Sequence, residues 1–232
     1  MTQRRTNKRF AIHAGILVVG ASLQAVGCGE VRYRDAVSPE EEVRRVVFRG
    51  DVGVIEIVPS ATAKVDLAVR APEGAALVQH NQVDGVFEIT TKCRTPILCA
   101  VDAEIFVPEG VPVDIEIDRG EVWATGIREL NVLVGEGDVD LDTAGPTTVQ
   151  IGHGSARVTA NTSDNLRVAV ANGNIDVQTL PERWNLSLTG ASEKVEGLII
   201  DKQARGSLEL VAPSGFVRVR SVVSKHQDSG TP

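Results

Sequence analysis

The chain has 232 residues, 42% of them hydrophobic but only 3% aromatic, and a formal net charge of −7. That length is enough for one domain with a sizeable core or for two small ones. The acidic excess argues against a nucleic-acid binder and against electrostatic attachment to anionic lipid. A core so poor in aromatics must be built from Val, Ile, Leu and Ala, whose β-branched members are stiff at χ1 and fit a pleated strand.

Met1–Phe10 carries Arg4, Arg5, Lys8 and Arg9 and no acid, and Ala11–Val26 is almost wholly apolar or small. The apolar run is short for a membrane span. A basic start followed by such a run reads as a secretory signal peptide, with a permanent anchor as the alternative. The run ends in Ala25-Val26-Gly27-Cys28-Gly29, which resembles a bacterial lipobox, where a Cys after a small residue becomes the lipidated first residue of the mature chain. Ala25 stands where Leu is commonest, and cleavage after an alanine without lipid is the competing reading. The expectation is a signal peptide over 1–27 and attachment to the membrane through lipid on Cys28. Removing Met1–Gly27 takes four of the 24 basic residues and no acid, leaving a net charge of −11 on the mature chain. Such a surface suits a soluble domain held at the bacterial envelope and does not suit nucleic acid.

Residues 28–42 are polar, with Pro39 before Glu40-Glu41-Glu42, and read as a tether. Val43–Pro59 predicts two strands around Arg49-Gly50-Asp51-Val52-Gly53. The Arg-Gly-Asp triplet is explained by a turn between those strands. Lys64–Val69, Val86–Thr91 and Val101–Val107 predict further strands. Cys93 and Cys99 flank a short loop. With Cys28 consumed by lipid in an oxidising compartment, these two thiols are expected to form a disulfide. Metal binding is the lesser reading, because no His or third Cys lies nearby in sequence.

From Val113 to Val222 the chain repeats itself. Taking Gly120, Gly137, Gly154, Gly173, Glu193 and Gly215 as equivalent, the spacing runs from 17 to 22 residues. Before each corner apolar residues alternate, as in Val113-Ile115-Ile117 and Leu166-Val168-Val170. After most corners they alternate again, as in Val122/Ala124, Val139/Leu141, Ala156/Val158, Ile175/Val177 and Val217/Val219. Each unit therefore offers two short strands with one buried face and a corner where φ>0 is expected. Repetition of this kind marks a stacked array. The pattern predicts an all-β parallel β-solenoid over residues 43–222, preceded by a β-hairpin region, with an antiparallel β-sandwich as the alternative. Residues 223–232 lack periodicity and are expected to be a tail.

The order of these features resembles a family of bacterial exported β-rich proteins described as adhesin-head or GIN-like domains, largely of unknown function. The resemblance rests on Ile105-Phe106-Val107-Pro108-Glu109-Gly110-Val111-Pro112-Val113 and on the recurrent corners at Gly120, Gly137, Gly154 and Gly173. It implies a right-handed β-solenoid and an envelope location, and it brings no catalytic residues.

The most suggestive polar set is Asp138-Val139-Asp140-Leu141-Asp142. Alternation puts its three carboxylates on one outer face, ~7 Å apart. Such a row could bind Ca²⁺ or do acid–base work on a polysaccharide. A parallel stack, however, sets Asp140, Arg157 and Asp176 in one column, where alternating charges make a solvated ladder. Ladder is the favoured reading, so neither a catalytic nor a metal site is assigned. The four histidines do not cluster, and no nucleophile elbow is present. No cofactor is expected. The leading expectation is a non-enzymatic, lipid-anchored envelope protein presenting its surface to a protein or polysaccharide partner. A small polysaccharide-active enzyme and a structural spacer are the alternatives.

Overall fold

A computed structural model describes residues 32–72, 74–95 and 99–221. The expected signal peptide, Cys28 and the 223–232 tail lie outside the described residues. Thirteen strands follow in order: β1 (Arg32–Val37), β2 (Arg45–Ser60), β3 (Lys64–Arg70), β4 (Ala76–Val83), β5 (Val86–Cys93), β6 (Ala100–Pro108), β7 (Val113–Ile127), β8 (Leu130–Thr143), β9 (Thr147–Ala160), β10 (Leu166–Thr179), β11 (Arg183–Glu196), β12 (Ile199–Ile200) and β13 (Gly206–Ser221). All belong to one mixed, mostly parallel sheet, and no helix occurs among the described residues.

The repeat units become single long strands that bend. In β8 the buried positions are Leu130, Val132 and Val134 before the corner, then Val139, Leu141 and Thr143 after it. Burial thus switches from even to odd numbers across Gly135-Glu136-Gly137-Asp138. Successive side chains in a strand point to opposite sides, so the switch turns both arms toward one apolar cluster. β7, β9 and β10 repeat the pattern, and β7–β8, β8–β9 and β9–β10 pair in parallel with equivalent residues aligned. Val122, Val139, Ala156 and Ile175 thereby stack as one inward column.

The corners stack as closely as backbone permits. Gly137 has φ +147°, and a Cβ there would lie 1.6 Å from the carbonyl oxygen of Gly120. No side chain fits such a gap. The same contact recurs from Gly154 to Gly137 and from Gly173 to Gly154. Gly120 in turn sits on Gly53, so β2 belongs to the same array. The chain through Arg49-Gly50-Asp51 is therefore one continuous strand bent at a corner, where two strands and a turn were expected.

β2 is flanked on its other side by two shorter strands. Its first half pairs in parallel with β5 and its second half with β6. β5 and β6 thus act as the two arms of one rung, cut at the corner. The Cys93–Cys99 disulfide joins the cut ends, with a Cα–Cα distance of 5.7 Å. The Asp51 carboxylate accepts the Cys93 amide at 2.7 Å and ties that end to β2. β4 returns on β5 through an Asp84-Gly85 turn in which both residues have positive φ, the chemistry of a tight hairpin. β3 pairs antiparallel with β6, and β1 antiparallel with β3. β1 falls within the stretch 28–42 read as a tether, so Arg32–Val37 belongs to the sheet.

At the other end, spatial order departs from chain order. β13 lies between β10 and β11. Gly215, not Glu193, continues the glycine column, its missing Cβ facing the Gly173 carbonyl oxygen at 1.6 Å. Glu193 instead pairs with Val217 on the far side, beyond a register shift between Gly190 and Ser192. The reason lies in the core. β13 brings five buried apolar residues, Leu208, Leu210, Ala212, Val217 and Val219. β11 fully buries Trp184 alone, and its second arm is exposed throughout from Ala191 to Glu196.

Candidate functional site

Because the inner sides are consumed by the core, polar chemistry is confined to outward columns. One column runs across the second arms, with Trp123 opposite Asp140, Asp140 opposite Arg157, Arg157 opposite Asp176, and Asp176 opposite Arg218. Arg157 Nη1 donates to Asp140 Oδ2 at 3.1 Å. Arg218 donates to Asp176 through both Nε and Nη2. That hydrogen bond, assisted by the positive charges of Arg218, Arg220 and Arg157, holds the Asp176 carboxyl below its ordinary value.

The three aspartates of β8 face outward together but engage different partners. Asp138 Oδ1 accepts the Ser155 amide at 2.8 Å. Asp140 takes Arg157, as above. Asp142 accepts the side-chain amide of Asn161. Partial burial raises the Asp142 pKa, and the Asn161 bond opposes the shift. No group of three or more His, Cys, Asp or Glu among the described residues is placed to hold a metal ion.

Matched charges recur on the first arms. Arg45 pairs with Asp114 at 2.6 Å and Arg49 with Glu116 at 3.2 Å and with Glu88. At the corners, Arg119 pairs with Glu136 at 3.1 Å. A shallow depression of about 200 Å³ lies between the first arms of β8, β9, β10 and β13. The two carboxylates reaching it, Glu129 and Glu209, each face an arginine, Arg45 at 3.5 Å and Arg167 at 3.6 Å. An Arg-Gly-Asp triplet free to serve as a recognition loop is not what the chain presents: Arg49 faces two glutamates and Asp51 holds the Cys93 amide.

The two indoles divide sharply. Trp184 is fully buried at the end of the core, whereas Trp123 is 52% exposed on the outer face. They are the two tryptophans of the chain. The parity of β7 carries the signal: Val122 and Ala124 point inward, so Trp123 between them must point out.

No protein-family model matches the chain, and no curated protein sequence does. Among solved structures it is similar to a candidate cell adhesion protein of Clostridium sporogenes, at 12% identity and a TM-score of 0.48, covering 84% of this chain and 100% of that one. It is also similar to candidate adhesins of Bacteroides fragilis (14% identity, TM-score 0.34, 83% and 97% covered) and Parabacteroides distasonis (14%, 0.29, 83% and 97%).

Proposed function

We propose that this chain is a non-enzymatic bacterial envelope protein, anchored by lipid on Cys28, that presents the outer faces of a right-handed β-solenoid for binding or adhesion. The observation that carries the reading is the parallel register from β7 through β10 to β13, shifted only between Thr125 and Ile127, with glycines stacked at the corners. Bent strands in that register are the coils of a solenoid, and their outward arms form long ruled faces. The handedness follows the family resemblance. Catalysis needs an acid or base with a shifted pKa in a sheltered pocket. Here the carboxylates of the Asp140–Arg157 ladder and of the depression lie on open surface beside arginines.

The test uses the full chain expressed with its N-terminus. Wild type should fractionate with membranes and Cys28→Ala should become soluble, while the purified protein leaves polysaccharides intact. Membrane retention of Cys28→Ala would remove the lipid anchor from the reading. Polysaccharide cleavage lost in Asp138→Asn/Asp140→Asn/Asp142→Asn would replace it with an enzyme.

A further inference from the structure

The charge matching described above fails on the face around Trp123. Beyond Trp123 the outward column continues onto the N-terminal strands, with Glu56 of β2 opposite Trp123 and Glu104 of β6 opposite Glu56. Strands in a sheet lie ~4.8 Å apart, and like charges directly opposite destabilise it. Further along the same outward column Asp140 and Asp176 each meet an arginine, and Asp66, opposite Glu104 on β3, meets Lys64. Neither the Glu56 nor the Glu104 carboxylate has an ion-pair or hydrogen-bond partner among the described residues.

Trp123 sits at the edge of this break. Its strand neighbour Glu121 is exposed, and β8 places Asp138, Asp140 and Asp142 directly opposite or diagonal to it. A half-exposed indole, the bulkiest exposed side chain of the sheet, thus lies inside a field of carboxylates. An exposed aromatic among neutral groups would suit a sugar ring. Carboxylates around it select instead for cations, which bind the negative face of the ring and pair with the acids at the same time.

We propose that the outer face centred on Trp123 and flanked by Glu56, Glu104, Glu121 and Asp138 docks a basic peptide segment of a partner protein. The inference rests on the reading of this surface as a binding face and names the partner's chemistry. Arginine side chains on an extended segment stack on Trp123 and answer Glu56 and Glu104, the positions that the fold leaves without a cation. Charge complementarity identifies the occupant, because arginines answer Asp140 and Asp176 along the column and none answers Glu56 or Glu104.

An octa-arginine peptide is the probe, titrated into the full chain by calorimetry and by tryptophan fluorescence. Trp184 is buried, so a change in emission reports Trp123. Saturable binding that weakens with added salt is expected. Trp123→Ala should weaken it about fivefold, and Glu56→Gln/Glu104→Gln about tenfold. Glu40→Gln/Glu41→Gln removes the same charge away from this face and should leave affinity unchanged. Every variant is checked for an unaltered thermal transition. Equal losses in the Glu40/Glu41 and Glu56/Glu104 variants, or no effect of Trp123→Ala, would reduce the binding to net charge and overturn the proposal. An emission change with maltoheptaose and none with octa-arginine would overturn it in favour of a sugar surface. Either result leaves lipid anchoring and the lack of cleavage to their own assays.

Discussion

Arg218 grips the Asp176 carboxylate through two nitrogens across 42 residues of sequence. The contact exists because β13 docks on β10 in place of β11, which follows β10 in the chain. It also makes Asp176 a stronger acid in the folded protein than in the unfolded one.

That difference fixes a pH dependence. Unfolded, Asp176 returns to its ordinary value of 3.8; folded, it lies lower. The stabilisation is therefore complete above the unfolded value and is lost as pH falls through the folded one. Asp176→Asn should lower Tm at neutral pH by the equivalent of about 1 kcal/mol or less, since the pair is solvent-screened. It should also flatten the loss of stability below about pH 4. Melting curves across acid pH that superimpose for variant and wild type would show that the contact contributes nothing.

Asp142 carries the opposite sign. Burial raises its folded pKa, so stability is present at low pH and falls as pH rises through 3.8 toward the folded value. Asp142→Asn should leave neutral-pH stability unchanged or slightly higher. The triple change Asp138→Asn/Asp140→Asn/Asp142→Asn should shift it by less than about 1 kcal/mol. Calcium should not raise the Tm of wild type. A clear calcium-dependent rise abolished by the triple change would establish a metal site.

Gly137→Ala should cost about 3 kcal/mol or more, because its Cβ meets the Gly120 carbonyl oxygen and φ is +147°. Gly110→Ala is the control. It has φ +82° but open space around it, so its cost should be about 1 kcal/mol. Chemical denaturation of both variants checks this, and equal costs would mean that corner stacking is unimportant.

Replacing both Cys93 and Cys99 by Ala should lower stability by about 2 kcal/mol, the low end expected for a short closed loop. The Asp51 bond to the Cys93 amide remains, so the split rung should stay folded. Unchanged denaturation midpoints for oxidised and reduced wild type would contradict this.

A chain stopped after Asp201 should lose its single cooperative unfolding transition. Without β13, the edge of β10 is bared and β11 has no rung to rest on. A truncated protein that melts like wild type would mean that β11 can close the stack by itself.

The bent strands were legible because the alternation at Leu130-Val132-Val134 and Val139-Leu141 is strong and the glycines at 137 and 154 keep its period. The disulfide was legible from the expectation of export and from the placement of Cys93 and Cys99 around one short loop. The exchange of β11 and β13 was not read, although Lys194-Val195-Glu196 offers one apolar residue where the other units offer two. Spacing alone put Glu193 in a column that burial denies it. The positions of Glu56 and Glu104 depend on β2 pairing with β6, a contact between segments with no shared repeat, so the unmatched acids beside Trp123 could not be seen in the sequence.

The order in which the chain is made meets the order in which it stacks. Emerging N-terminus first, it delivers β11 while its place in the sheet does not yet exist, for the strand that β11 rests on comes last. Until Gly206–Ser221 arrives, β10 remains an open edge able to accept a strand from any source. Contacts of long sequence separation form slowly. The last sixteen-residue strand is thus a latch, and the molecule passes through synthesis unlatched.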